Sequence, residues 1–261
     1  MHQTSWARVE RIGGIATVTL AAPHGINRIN VDSARDWLAA VDCADTDPAT
    51  RLIVIRAEGQ VWNVGGDLSV MRGDPAEVAR TIDQIGAFVN PLAHRLHTSP
   101  RVTIAAVHGA VAGGAVGLMS ACDLVVAADD VVITQGYSRL GVNPDAGVSW
   151  FLVRQLGYRK AFELYLTSDR LDANEAAGLG LVSRVVPAGE LAAQTAELAH
   201  RIAALSPRAT AEAKRLFRSA LDNALDVHLD AEIRAFSCNT LQPDFAEGVT
   251  AFHQRRDPVF I

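Results

Sequence analysis

Two glycine pairs are the places in this 261-residue chain where the backbone itself could do chemistry: Gly65-Gly66, followed by Asp67, and Gly113-Gly114. The second pair lies between an apolar, β-branched run, Val102–Val107, and a small-residue stretch from about Ala115 that reads as a helix. Glycine at a strand-to-helix junction lets the backbone approach a ligand closely and offers free N–H groups at a helix N-terminus. Such a place suits a carboxylate, a phosphate or a developing enolate. The known phosphate signatures do not fit. Gly109 and Gly114 have P-loop spacing, but Ala115-Val116 stands where Lys-Ser/Thr is required, and Val111 and Ala115 break GxGxxG. On these residues alone, a core strand packed on a small-residue helix explains the pattern equally well.

The elements that must position these glycines can be read in order. Trp6–Ile12 and Ile15–Leu20 flank Gly13-Gly14, a hairpin signal. Val31–Asp42 reads as a helix with Trp37, Leu38 and Val41 on one side, and Leu52–Ile55 as a buried strand. Residues 69–80 read as a mobile loop, and Ile82–Leu96 as a helix interrupted or kinked at Pro91. Val131–Thr134 is a short strand and Gln135–Trp150 a turn-rich loop leading into a helix, Phe151–Leu156. Leu164–Ala177 reads as a helical pair with Asp172 as a cap, and Leu181–Val186 as a strand. Three helices then close the chain: Leu191–Leu205, one opened by Ser206-Pro207, and one carrying Leu221, Leu225, Leu229 and Ile233 on a face. Strands alternate with helices to about residue 190, and the remainder is helical. The expected class is α/β, with a core over 1–190 and a helical C-terminal region over 191–261.

Composition narrows the function classes. A net charge of -5 gives no basic footprint for nucleic acid. Three widely spaced cysteines, Cys43, Cys122 and Cys238, make neither a disulfide framework nor a zinc pattern. His94 and His97 lie on neighbouring turns of a helix without a third ligand, so no metal site is expected. The N-terminal residues lack a signal-peptide core, and Val102–Met119 is punctuated by His108 and glycines, which argues against a membrane span. A cytoplasmic protein is expected.

Four stretches in order carry a family resemblance: VWNVGGDL (61–68), VHGAVAGGAVGLMSACDLVVAA (107–128), LTSDRLDANEAAGLGLVSRVVP (166–187) and FAEGVTAFHQRRDPVF (245–260). Together they resemble the crotonase (enoyl-CoA hydratase/isomerase) superfamily. The resemblance implies a crotonase-like spiral of repeated ββα units, with the C-terminal helices forming a trimerisation region. It implies an acyl-CoA thioester substrate, no cofactor beyond the CoA moiety, and a homotrimer or hexamer. Carried over residue by residue, it puts an oxyanion hole on the N–H groups of Gly66 and Gly114. It also puts CoA-adenine contacts at Asn27, Arg28 and Ile29, with Lys214 and Arg218 as further phosphate contacts. On its own, Arg28 reads equally as a solvated loop arginine, and Lys214 and Arg218 read as surface charge ahead of phosphate contacts. Asp67 and Asp123 match family positions as structural residues.

Departures from the family pattern bear on the reaction. The two hydratase glutamates fall on Gly117 and Tyr137, neither of which can be a general base at neutral pH. One acid remains in the loop, Asp145 in GVNPDAG, where dienoyl-CoA isomerases and 4-chlorobenzoyl-CoA dehalogenases carry a catalytic aspartate. The histidine that dehalogenases use is missing, with Phe88 near its place. Asp145 therefore stands as a proton shuttle or as a turn-capping residue, and Tyr137 as a donor to the acyl group or as pocket wall. Isomerisation is the expected reaction, against a catalytically silent acyl-CoA binding protein or a hydratase with another base.

Overall fold

The structure, a computed structural model, describes residues 2–260. The chain opens with strands β1 (His2–Gln3), β2 (Ala7–Ile12) and β3 (Ile15–Leu20), and the β2–β3 hairpin turns on Gly13 and Gly14, both at positive φ. Helix α1 (Val31–Thr46) begins at Asn30, whose side chain accepts from the Ser33 N–H while the Ser33 hydroxyl accepts from the Asn30 N–H. Next come β4 (Leu52–Ala57), α2 (Pro75–Thr98), β5 (Val102–Val107), β6 (Ala110–Ala112), α3 (Gly114–Ala121), β7 (Leu124–Ala128) and β8 (Val132–Thr134). Beyond them lie α4 (Tyr137–Leu140), α5 (Val148–Leu156), α6 (Tyr158–Thr167), β9 (Leu171–Asp172), α7 (Ala173–Gly178) and β10 (Arg184–Val186). Helices α8 (Leu191–Ala203), α9 (Pro207–Ser219), α10 (Leu225–Thr240) and α11 (Pro243–Gln254) close the fold.

Seven strands form one sheet in the order β1-β2-β3-β4-β5-β7-β10, antiparallel as far as β3 and parallel from there. Strands β6, β8 and β9 make a second, smaller sheet. Side chains alternate across a strand, and β4 shows the consequence: Ile53 and Ile55 join one core cluster, Leu52 and Val54 another. The larger cluster packs α1, α2, α3 and α5 around Trp37, Trp62, Leu118 and Met119. The smaller one lies beneath α8, with Ile104, Val126 and Leu198. Burying each such aliphatic side chain contributes roughly 1.5–3 kcal/mol.

The sequence expectations need correction in four places. Residues 75–80 are helix, not loop, because the Asp74 carboxylate caps the N–H groups of Ala76 and Glu77 and Pro75 sits where its missing N–H costs nothing. Pro91 does not interrupt α2; the helix runs through it to Thr98, held by the buried face of Ile85, Val89, Leu92, Ala93 and Leu96. The stretch 135–150 contains α4 and the start of α5, each entered from a glycine in the left-handed region, Gly136 and Gly147. Four helices close the chain, not three, and Leu221 lies before α10 rather than on it. Asp172 does cap α7, in a reciprocal pair with Glu175. No helix among the described residues is long and apolar enough to cross a membrane.

Candidate active site

The strand order brings the two glycine loops together. Trp62 and Asn63 pair with β6 and the turn before it: the Trp62 N–H donates to His108 O, the Asn63 N–H to Ala110 O at 3.1 Å, and the Ala112 N–H to Asn63 O at 3.0 Å. The Asn63 side chain, fully buried, accepts from the Gly65 N–H at 2.8 Å and fixes the turn that presents Gly66. Gly65 has a φ of 81°, and a Cβ on it would stand 2.5 Å from Ala112 O. Only glycine permits both that conformation and that approach. On the other side, the Ile29 N–H donates to Gly65 O and the Asp67 N–H to Ile29 O, clamping the loop. Asp67 closes it by accepting from the Ser69 N–H and hydroxyl.

The second glycine is placed by Gly113, whose φ of 53° and ψ of -130° belong to glycine alone. Its N–H donates to Thr134 O, and Gly114 becomes the first residue of α3. Among the hydrogen bonds of the described residues, none is donated by the N–H of Gly66 or of Gly114. Two free donors therefore sit on adjoining loops, one at a helix N-terminus whose dipole favours negative charge. The geometry suits a developing oxyanion.

A carboxylate faces this pair. A Cβ built on Gly114 would lie 3.1 Å from Asp145 Oδ1 and 3.1 Å from Ile29 Cδ1. The Tyr137 hydroxyl donates to the same Asp145 oxygen at 2.5 Å. Burial, and then the Asp145 charge beside it, push the Tyr137 phenol well above the ordinary tyrosine range, so it stays a donor through neutral and mildly alkaline pH. Asp145 itself is exposed. Its loop is wound tightly: Ala146 has a φ of 50°, Gly147 a φ of 79°, and the Val148 N–H bonds back to Asp145 O as α5 begins. That loop is pressed into α3 at Gly117. A Cβ there would overlap the Ala146 carbonyl oxygen and stand 2.9 Å from its carbon. The space beyond Gly117 is filled by backbone.

The structure thus unites Gly66, Gly114, Asp145 and Tyr137, with Ile29 packed against them. Three of the residues expected to contact ligand have partners within the protein. Asn27 is fully buried, its amide accepting from the Ala22 N–H and donating to Glu58 O, so its side chain braces a loop. Ile29 is buried, and its backbone N–H and carbonyl hold the first glycine loop. Lys214 is neither surface charge nor a free cation: its side chain is 8% exposed and its ammonium bonds Asp123 Oδ2 at 2.7 Å and Arg101 O at 2.7 Å. Arg218 holds the other Asp123 oxygen at 2.6 Å. Arg28 is exposed and has no ion pair among the described residues. No cluster of metal-binding type occurs among them either. Ala146 and Asn63 escaped the sequence reading. Asn63 carried a usable signal, an Asx residue two before a glycine; a left-handed alanine carries none.

Asp123 anchors two cations, and the expected result of Asp123→Asn is a destabilisation of about 3–5 kcal/mol, the cost of leaving a buried charge unpaired. Chemical denaturation checks it.

Residues 10–261 match the family described as enoyl-CoA hydratase/isomerase. A probable enoyl-CoA hydratase of Rhodobacter capsulatus is 32% identical over 97% of this chain and 96% of its own. A trans-2-decenoyl-[acyl-carrier-protein] isomerase of Streptococcus mutans is 30% identical over 95% of this chain and 94% of its own. Among solved structures, an enoyl-CoA hydratase from Polaromonas superposes with a TM-score of 0.88 at 32% identity, covering 98% of this chain and 99% of that one. Profile, relatives and fold agree: the chain belongs to the enoyl-CoA hydratase/isomerase family of the crotonase superfamily.

Proposed function

We propose that this family member moves a proton on an unsaturated acyl-CoA thioester, shifting its double bond, rather than adding water across it. The observation that carries the reading is the Asp145 carboxylate held beside Gly114 by the Tyr137 hydroxyl, together with the backbone that fills the space at Gly117. The thioester carbonyl accepts from the N–H groups of Gly66 and Gly114. Asp145 takes a proton from the α or γ carbon, and the electron pair of that C–H bond passes into the carbonyl as an enolate. The same carboxylate returns the proton at the other carbon, so substrate and product are isomers and nothing else is consumed. Each oxyanion donor of this type contributes on the order of 2.7–4 kcal/mol to the transition state. Tyr137 fixes one carboxylate oxygen and leaves the other for the substrate. The expected CoA contact is Arg28, the exposed cation next to the clamped Ile29.

The assembly expected of the chain, a homotrimer or hexamer, is supported by the apolar face that α10 leaves exposed with Leu225, Leu229, Ile233 and Phe236. Light scattering on the purified chain checks it; a monomer at micromolar concentration would count against it.

The reaction is tested by offering 2-enoyl-, 3-enoyl- and dienoyl-CoA thioesters and resolving products by chromatography and mass. Isomers of unchanged mass are expected. Products heavier by one water would favour a hydratase with another base, and binding of every thioester with no product would favour a silent binding protein.

A further inference from the structure

A groove of about 670 Å³ lies away from Gly66, Gly114 and Asp145 and shares no lining residue with them. Its walls come from α2, α5 and α9, and its floor from the end of α3 and the residues after it. One wall is aromatic. His97, Trp150 and Phe151 pack edge to face with ring centroids 5.0–5.3 Å apart, and the Arg154 guanidinium lies 3.8 Å over the Trp150 ring. The opposite wall is charged. Asp123 is held by two cations, Lys214 at 2.7 Å and Arg218 at 2.6 Å, which leaves one positive charge in excess at that point. The other charges at the groove cancel in pairs, Arg154 with Asp222 and Arg215 with Glu212.

Two polar atoms of groove residues have no hydrogen-bond partner among the described residues: Arg218 Nη1 and Ser120 Oγ, the latter on a residue 4% exposed. A guanidinium N–H can only donate, and a hydroxyl can donate, so both suit an acceptor. The field is positive at the aromatic wall as well. His97 is held down to about 4 by burial and then by the charges of Arg218 and Lys214.

We propose that this groove binds an organic monocarboxylate with a flat apolar body, its ring against Trp150 and Phe151 and its carboxylate toward Arg218 and Ser120. The size is that of a small-molecule site, in which an apolar lining carries a few placed polar groups. A single negative charge balances the excess at Asp123, and a flat ring continues the aromatic wall. A dianion would exceed that balance.

The test uses the full-length chain with benzoate as probe and benzamide as its neutral counterpart, read by saturation-transfer NMR and by titration. Benzoate is expected to bind with a Kd of about 1 mM or tighter and benzamide at least about tenfold more weakly. Trp150→Ala and Arg218→Gln are each expected to weaken benzoate about tenfold, and Asp145→Asn to leave it unchanged. Should Arg218→Gln fail to fold, Trp150→Ala decides, since that ring is well exposed. Equal binding of both probes, no binding of benzoate at about 10 mM, binding indifferent to Trp150→Ala, or binding lost in Asp145→Asn would each overturn the proposal.

Discussion

Asp145→Asn is expected to slow double-bond migration by roughly 10²–10⁴-fold, the contribution of a positioned general acid–base, while acyl-CoA affinity changes little. The amide keeps the size of the carboxylate, and its oxygen can still accept from the Tyr137 hydroxyl, so the loop that winds through Ala146 and Gly147 keeps its path. Only the ability to take and return a proton is lost. The two glycine donors are untouched by the change, because they are backbone groups fixed by Asn63, Ile29 and Thr134. The expected signature is therefore a fall in kcat with the dissociation constant of a non-reactive acyl-CoA unmoved. A rate within about threefold of the parent would remove Asp145 from the chemistry.

Gly117→Glu is expected to abolish the native activity and to confer no hydration. Restoring a glutamate where hydratases carry one looks like a gain of function on the sequence, and the structure says otherwise. Any Cβ at this position overlaps the Ala146 carbonyl, which is backbone and cannot swing aside as a flexible side chain would. Accommodating it requires moving the segment from Asp145 to Val148, whose Cγ2 stands 3.1 Å away, and with it the carboxylate beside Gly114. Overpacking of this kind costs about 1–3 kcal/mol or more, so the variant is also expected to melt earlier. Product analysis and a melting curve check both halves. A soluble variant that hydrates enoyl-CoA would show that the loop yields and that the glutamate position is open after all.

A third expectation concerns acid. His97 is half-buried and its imidazole is held down to about 4 by burial and the cations beside it. The unfolded chain takes up that proton near 6.5, so between these values the unfolded state binds more protons than the native one, and stability falls as pH falls from about 6.5 toward 4. His97→Gln is expected to flatten that part of a plot of denaturation midpoint against pH; an unchanged slope would contradict it.

How far the sequence could be read differs by element, and the reasons are physical. The two glycine loops are legible because Gly65 and Gly113, the residues before Gly66 and Gly114, both take positive φ, and glycine at a strand end is a local signal. The strands of the parallel sheet were legible for a similar reason: runs such as Leu52–Ile55 are buried on both faces and read as unbroken apolar stretches. The start of α2 was written in Asp74-Pro75, a cap and a first-turn proline, but the neighbouring Gly73 made the same residues read as a turn.

What stayed hidden was mostly long-range. Lys214 reads as one more lysine on an amphipathic helix, and only folding shows it buried against Asp123. Asn27 and Ile29 brace the protein through Glu58 and Gly65 respectively, long-range partners that no local spacing reveals. The bond between Tyr137 and Asp145 crosses the span between α4 and α5 and follows no helical or strand spacing. Gly117 was noticed as a missing glutamate; that its space is taken by Ala146 depends on a left-handed alanine no sequence rule would place there.

Formation of a thioester enolate at this site, with Asp145 carrying the proton, leaves an isotopic trace. The most direct measurement is to incubate the protein with 2-enoyl-, 3-enoyl- and dienoyl-CoA in deuterated water and locate the label by mass spectrometry. Deuterium at the α or γ carbon, lost in Asp145→Asn, is the predicted result. No label from any thioester that binds, or label that persists undiminished in Asp145→Asn, would contradict it.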